Sequence, residues 1–150
     1  MTRPTQIPVF ERFFRAAAGI DIDKQDIRRF REFVDIMIDD IAITGRNTAK
    51  WNGRDVIAAA DLPITKGLQE QMRQFGKLDV ADEVRELLSH ELRRPPQNVT
   101  FAAETEDLLP ELLGGLGIAL AHSFRVIDPK LANPRTVHWE RAFDLFQLVF

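Results

Sequence analysis

The stretch from residue 23 to residue 61 constrains the fold most, because it predicts one unusually long amphipathic helix that ends in a well-marked turn. Asp23 is a good N-cap, and Asp26 stands three residues later, where a capping box has its acid. Apolar residues then recur at steps of three and four, namely Ile27, Phe30, Val34, Met37, Ile38 and Ile41. At about 28 residues, the predicted helix is roughly twice the average length. Such a helix needs apolar partners on several sides.

Shorter helices are predicted on both sides of this long helix. One covers residues 9–18 and ends at Gly19. After the turn at residues 52–53, Val56 and Ile57 form a short extended piece. Asp61 then caps a third helix, whose first turn accommodates Pro63. The first half of the chain is therefore short helix, long helix, short helix.

The second half repeats this plan with little sequence identity. A short helix is predicted over residues 80–92, a long one from about Thr105 or Asp107 to Ile127, and a last one over residues 139–150. The glycines of residues 114–117 are expected to let the two long helices cross closely. We predict an all-α chain that forms a single compact domain from two halves, about residues 9–75 and about residues 78–150.

Composition excludes several kinds of site. The chain has no cysteine, so a disulfide framework, a Cys-based zinc site and a thiol nucleophile are ruled out, and we expect a cytoplasmic protein without a signal peptide. The longest nearly apolar run, residues 112–121, is about half of the roughly 20 residues that cross a bilayer. Net charge is −3, so nucleic-acid binding would need a local basic patch. Residues 1–75 carry a net charge of +1 and residues 76–150 a net charge of −4. If one half contacts phosphate, we therefore expect it to be the first.

A family resemblance rests on two segments of the first half. FERFFRAAAG resembles the first helix of a histone fold, and GRDVIAAADL is similar to the Gly-Arg-x-Thr-Ile-x-x-x-Asp-Ile signature of archaeal histones. The interval from Asp23 to Arg54 also fits the archaeal second helix without a gap. With two such halves and the segment DLPITKGLQE, the whole chain is similar to a small prokaryotic family of single-chain double histone folds, whose function is uncharacterised.

The resemblance implies a histone-like pseudodimer within one chain, in which each half covers the apolar face that a single histone fold exposes. It also implies a structural clamp, an ion pair between Arg54 and Asp61. In the second half the matching positions fall near Pro134 or Arg135 and at Arg141 or Ala142, so we expect that clamp to be lost.

The resemblance further implies contacts to DNA phosphates. Arg12 and Arg15 match basic positions of the first archaeal helix, whereas acids stand in the loops of the first half. In the second half, basic residues and a Lys-Thr-like pair lie near the expected loops and are candidate contacts: Arg93, Arg94, Lys130, Arg135 and Thr136. On this analogy we predict a non-enzymatic, nucleoid-associated protein that binds double-stranded DNA weakly and in a salt-sensitive way.

The alternative is a histone-fold protein–protein interaction module that does not bind DNA. The acidic composition and the Phe-rich C-terminus, FDLFQLVF, suit docking to another protein or to a second copy. Phe143 and Phe146 are expected to pack in the core instead, and the sequence does not decide between core and surface for Phe150. An enzyme is the third possibility. The only clusters of histidine with acids in the sequence, at residues 90–91 and 138–140, lack the spacing of metal ligands. We therefore predict no catalytic residue, metal, cofactor, small-molecule substrate or membrane partner.

Overall fold

The first long helix begins and ends close to where the sequence predicts. In the computed structural model, which describes residues 6–92 and 98–150, this helix spans Lys24–Trp51. The Asp23 carboxylate accepts the N–H groups of Gln25 at 2.9 Å and Asp26 at 3.1 Å, and the Asp26 carboxylate accepts the Asp23 N–H at 2.9 Å. This is the predicted capping box, and it satisfies N–H groups that have no partner inside the helix.

Six α-helices make up the described part of the chain: α1 (Gln6–Ala18), α2 (Lys24–Trp51), α3 (Lys66–Gly76), α4 (Ala81–Glu91), α5 (Ala103–Ile127) and α6 (Thr136–Val149). A short 3-10 turn covers Ala59–Asp61. Residues 6–92 and 98–150 contain no extended strand, only one isolated parallel bridge between Ile57 and Phe101. None of these helices is long and apolar enough to cross a membrane. The all-helical prediction is confirmed.

The third helix starts later than predicted. Asp61 does not cap it, because its carboxylate is bound by Arg54 and by the backbone N–H of Ala58. The chain then stays extended through Pro63, and Thr65 provides the cap by accepting the Leu68 N–H at 3.1 Å. The Asp61 carboxylate is thus directed back to Arg54 and to the start of the 3-10 turn, and not forward to the N–H groups of α3.

Three other helices start earlier than predicted. Helix α1 begins at Gln6 rather than at residue 9, with Pro8 in its first turn. Helix α5 begins at Ala103, so Pro110 is its eighth residue and lies a turn further inside than expected. Helix α6 begins at Thr136 because the Nδ1 atom of His138 accepts the Arg135 N–H at 2.9 Å, a cap that a search for acids misses.

One continuous cluster of buried side chains receives residues from all six helices. Its largest members are aromatic and nearly inaccessible to solvent: Phe13, Phe14, Phe30, Phe33, Phe75, Phe124 and Trp139. Phe146 is also buried, Phe143 packs against the cluster, and the half-buried Phe150 stacks on Phe146 with ring centroids 6.3 Å apart. The first half alone would leave the apolar side of α2 exposed, so the two halves share one core.

The last helix of each half contacts the long helix of the other half, although α6 packs more extensively on α5, the long helix of its own half. Helix α3 packs along α5, the most extensive contact between helices in the described residues. On the opposite side, Phe33 of α2 contacts Phe143 and Phe146 of α6, with ring centroids 6.1 and 4.9 Å apart. Gly114 and Gly115 of α5 lie against α3, whereas Gly117 lies against Phe13 of α1 and near Phe30 of α2, so only one of the three glycines is beside the other long helix.

Loops of the two halves also meet at both ends of the molecule. At one end the Asp21 N–H donates to the Ala132 carbonyl at 2.8 Å. At the other end the Ile57 N–H donates to the Thr100 carbonyl at 2.9 Å, and the Ile57 carbonyl accepts from the Ala102 N–H and the buried Thr105 hydroxyl. Backbone hydrogen bonds thus join the loop after α1 to the loop before α6, and the loop after α2 to the loop before α5.

Candidate nucleic-acid interface

The two α1 arginines that the resemblance assigns to DNA both face carboxylates. Arg12 donates to both oxygens of Glu83 on α4, at 2.6 and 3.3 Å, and Arg15 donates to Asp21 at 3.3 Å. All four side chains are at least half exposed, so these pairs contribute little stability, of the order of 0–1 kcal/mol each. Each pair is nonetheless neutral, which removes the net charge that would attract phosphate.

The remaining predicted contacts divide into two groups. Arg93 and Arg94 lie outside the described residues. Lys130, Arg135 and Thr136 lie together at the loop end that joins residues 19–23 to residues 128–135. Arg135 is the residue before α6, and Thr136 is the first residue of that helix. All three side chains are exposed.

We call the region of residues 19–32 and 125–141 the basic end. It carries eight basic and six acidic residues, a net charge of +2 in a chain of net charge −3. The opposite region, residues 52–65 and 98–111, is the acidic end and carries one basic and six acidic residues, a net charge of −5. The small overall charge therefore conceals a strong separation of charge between the two ends of the described structure.

A cleft of about 600 Å³ opens at the basic end, between the start of α2 and the start of α6. Three arginines line it, Arg28, Arg29 and Arg135, together with Asn133 and Thr136, and so do three acids, Asp23, Asp26 and Glu32. Within the described chain, neither Arg28 nor Arg135 takes part in an ion pair, whereas Arg29 lies 3.5 Å from Glu32. Arg28 and Arg29 are far from Arg135 in the sequence, and only the fold brings the three side chains to one cleft.

The two aspartates of this cleft are already occupied. Asp23 accepts the two N–H groups of the capping box, and the buried Asp26 accepts the indole Nε1–H of Trp139 at 2.8 Å. Burial raises the pKa of Asp26 above its ordinary value of 3.8, although the hydrogen bonds from Asp23 and Trp139 oppose the shift. The hydrogen bond between Trp139 and Asp26 joins α6 to the first turn of α2, so it also fixes the two walls of the cleft.

Arg125 holds the basic end together, although nothing in the sequence distinguishes it from other arginines. Its guanidinium donates to the carbonyls of Ala18 and Gly19, both at 2.9 Å, and also to the carbonyls of Pro129 and Leu131. One charged side chain thus binds the end of α1 and the loop before α6. No side-chain pattern could reveal it, because every residue carries a carbonyl acceptor.

The Arg54–Asp61 pair lies at the acidic end. The two guanidinium nitrogens donate to the two carboxylate oxygens at 2.5 and 2.7 Å, and the Ala58 N–H adds a third bond at 2.8 Å. The Asp61 side chain is 1% exposed and that of Arg54 is 41% exposed. The hydrogen bond from Arg54 lowers the pKa of Asp61. In the second half, positions 141 and 142 are Arg and Ala, so no acid stands where the matching carboxylate would be.

The histidine clusters show no arrangement that would bind a metal. His138 is buried at the start of α6 and lies 3.9 Å from Asp128, and His90 lies near the end of α4. Across residues 6–92 and 98–150, no group of three His, Asp or Glu side chains is placed to hold a metal ion.

By its fold the chain is an all-helical protein, with six helices around one buried core in the described residues. A family described as "Domain of unknown function (DUF1931)" matches residues 10–147, and the chain belongs to this family. It is 31% identical over 116 residues to an uncharacterized protein of Aquifex aeolicus (strain VF5), an alignment that covers 77% of this chain and 68% of that protein. A second uncharacterized protein of that organism is 29% identical over 139 residues, with 83% and 80% covered.

Two crystal structures share the fold over nearly the whole chain. A protein from Thermus thermophilus superposes with a TM-score of 0.84 at 42% identity and covers 96% of this chain and 97% of its own. A protein from Aquifex aeolicus superposes with a TM-score of 0.83 at 28% identity, with 100% and 99% covered. The fold is therefore shared by two proteins that are 42% and 28% identical to this chain.

Proposed function

We propose that this protein is a non-enzymatic, histone-like pseudodimer that binds duplex DNA weakly through its basic end. The pseudodimer part is supported by the repeated order of short, long and short helices, by the packing of α3 from the first half along α5 of the second, and by the loop pairs at both ends. Two copies of one plan that each complete the other's core are what an intramolecular histone-like pair requires.

The observation that carries the DNA-binding part is the cleft at the basic end. Arg28 and Arg135 come from different halves and face the same cleft without a carboxylate partner among the described residues. Arginine suits phosphate because its fork of donors engages two oxygens at once. The start of α6, next to Thr136, adds backbone N–H groups that favour an anion. These groups would bind the DNA backbone without reading its sequence.

The same geometry predicts that binding is weak. Only two or three cationic groups without a carboxylate partner among the described residues face phosphate here, namely Arg28, Arg135 and the nearby Lys130. Arg29 is paired with Glu32, the α1 arginines are paired with Glu83 and Asp21, and the other end is acidic. Neutralising two or three phosphates makes affinity fall about 12-fold to 40-fold between 50 and 200 mM salt. We expect DNA binding that is measurable at low salt and small at physiological salt, and a cytoplasmic protein that associates with the nucleoid only through these contacts.

Fluorescence anisotropy with a labelled DNA duplex tests this function at low salt and again with added salt. Arg135→Glu and Arg28→Glu should each weaken binding and reduce the salt dependence. Arg73→Glu is a matched control, because Arg73 lies on α3 and is held by Glu70 at 2.7 Å. Arg12→Glu should have a smaller effect than Arg135→Glu, since Arg12 is already paired. Equal losses for Arg73 and Arg135, or no binding near 50 mM salt, would refute DNA binding at this end.

A protein-interaction module remains the second candidate, and one specific observation favours it. Several large apolar side chains of α6 are exposed on the side that faces away from the core, among them Leu145 at 43% and Leu148 at 80%. A protein that shows no DNA binding at low salt but gains mass with concentration would fit this candidate instead.

A further inference from the structure

The outer face of α6 carries a regular stripe of four exposed residues: Val137, Arg141, Asp144 and Leu148. They follow one another at steps of four, three and four, so they share one side of the helix. Trp139, Ala142 and Phe146 occupy the opposite side and are buried in the core. Val137 is 44% exposed and Leu148 is 80% exposed, so apolar groups stand at both ends of the stripe. In its middle lie one positive and one negative side chain.

The surface beside this stripe is also partly apolar and is fixed in place. Gln147 of α6 donates to the Asp40 carboxylate of α2 at 2.9 Å, which holds the two helices side by side. On α2, Ile36 and Ile43 lie one turn before and one turn after Asp40, and they are 37% and 51% exposed. The stripe and these two isoleucines therefore form a continuous face that no described part of the chain covers.

We propose that this face binds a second copy of the chain, with the two α6 helices packed antiparallel about a two-fold axis. In that arrangement Arg141 of each copy faces Asp144 of the other, and Val137 faces Leu148. Both pairs have the same midpoint, between residues 142 and 143, which is where a two-fold axis must cross the helix. The stripe is thus complementary to itself in charge and in apolar character.

The charge order argues for this partner and this direction. In a parallel pairing Arg141 would meet Arg141 and Asp144 would meet Asp144, which is unfavourable twice over. When the order of residues in the stripe is reversed, each charge faces an opposite charge and each apolar residue faces an apolar one. This complementarity is expected of a surface that pairs with a second copy of itself, and an unrelated partner would not require it. Helix α6 has 14 residues, about 21 Å of length, so the interface is small and the dimer should dissociate in the micromolar to millimolar range.

Sedimentation equilibrium of the full chain without DNA tests the proposal, from about 10 µM to about 1 mM, where a small interface associates. We expect a monomer–dimer equilibrium. Arg141→Asp and Asp144→Arg should each weaken the dimer about tenfold or more, because like charges then meet across the axis twice. The double variant, R141D with D144R, restores opposite charges and should restore the dimer. Circular dichroism confirms that each variant is folded.

Leu148→Lys should also abolish the dimer, whereas Val126→Lys is the matched control, because Val126 is 79% exposed on α5, away from this stripe. A chain that stays monomeric to about 1 mM leaves the face to a different protein or to none and overturns the proposal. A dimer that is unchanged by L148K, or a double variant no tighter than the singles, overturns it as well. DNA binding is measured separately, so either result leaves the basic end to be judged alone.

Discussion

Gly114 lies where α5 crosses α3, and replacing it with alanine tests whether α3 of the first half packs on α5 of the second half there. A Cβ atom built on Gly114 would stand 2.4 Å from two ring carbons of Phe75 and 2.6 Å from a third. The Phe75 ring is fully buried and cannot easily move, because Phe13 packs edge-on at 5.8 Å and the Arg85 guanidinium lies over it at 5.3 Å. The new methyl group must therefore displace α3 or strain the core.

Two opposing effects set the size of the change. Overpacking a tight core costs about 1–3 kcal/mol, and a distance as short as 2.4 Å puts this site at the upper end. Alanine inside a helix gains about 0.5–1 kcal/mol over glycine. The clash wins, and we expect Gly114→Ala to destabilise the protein by about 2 kcal/mol. For a chain of this size that lowers the melting temperature by about 4–8 °C.

Thermal unfolding followed by circular dichroism measures the effect, with Gly67→Ala as control. Gly67 lies in the first turn of α3, and a Cβ there would meet only the Thr65 hydroxyl, at 4.0 Å. That variant should match or slightly exceed the wild-type melting temperature. Adding Phe75→Leu to Gly114→Ala shortens the clashing ring and should recover part of the loss. If Gly114→Ala melts at or above Gly67→Ala, α3 does not lie on α5 as described.

Two further predictions concern carboxylates. The lowered pKa of Asp61 means that its bond to Arg54 stabilises the fold above the ordinary carboxyl pKa, and this stability is lost as pH falls through the lower folded value. Asp61→Asn should therefore lower the melting temperature at pH 7 and matter less near pH 3, and an equal effect at both pH values would contradict the clamp. Burial raises the pKa of Asp26, so its protonation favours the folded state, and stability from this group increases as pH falls through the folded value. In Trp51→Phe, which leaves Trp139 as the one tryptophan, emission should change with a midpoint above 3.8, and Asp26→Asn should abolish that change.

The sequence predicts helices better than it predicts where some of them begin. The predicted start of α2 is accurate because its cap is local: the carboxylates of Asp23 and Asp26 accept neighbouring backbone N–H groups, although Asp26 also accepts the indole N–H of the distant Trp139. The start of α3 is wrong because the carboxylate that resembles its cap, Asp61, is bound by Arg54 seven residues earlier. Periodicity reports which side of a helix is apolar, but it does not report which partner a polar side chain will choose.

The surroundings of the predicted site residues could not be read from the sequence for a different reason. Arg12 and Glu83 are 71 residues apart, so only the packing of α1 on α4 shows that the expected DNA contact already has a partner. Conversely, Arg28 and Arg135 are separated by more than a hundred residues, and only the fold places them in one cleft. Interactions over such separations leave no signal in a single sequence.

Asp23 shows why counting charges along the chain gives a poor estimate of what the basic end can bind. By sequence it is an acid at a position where a DNA-binding histone would have a neutral or basic loop. In the structure its carboxylate accepts two backbone N–H groups at the positive end of the α2 dipole, which offsets much of its charge. Replacing it to strengthen DNA binding would remove the cap of the longest helix, at a cost of about 1 kcal/mol. Asp23 therefore serves the fold as a cap, and DNA affinity at the basic end depends on the arginines that line the cleft beside it.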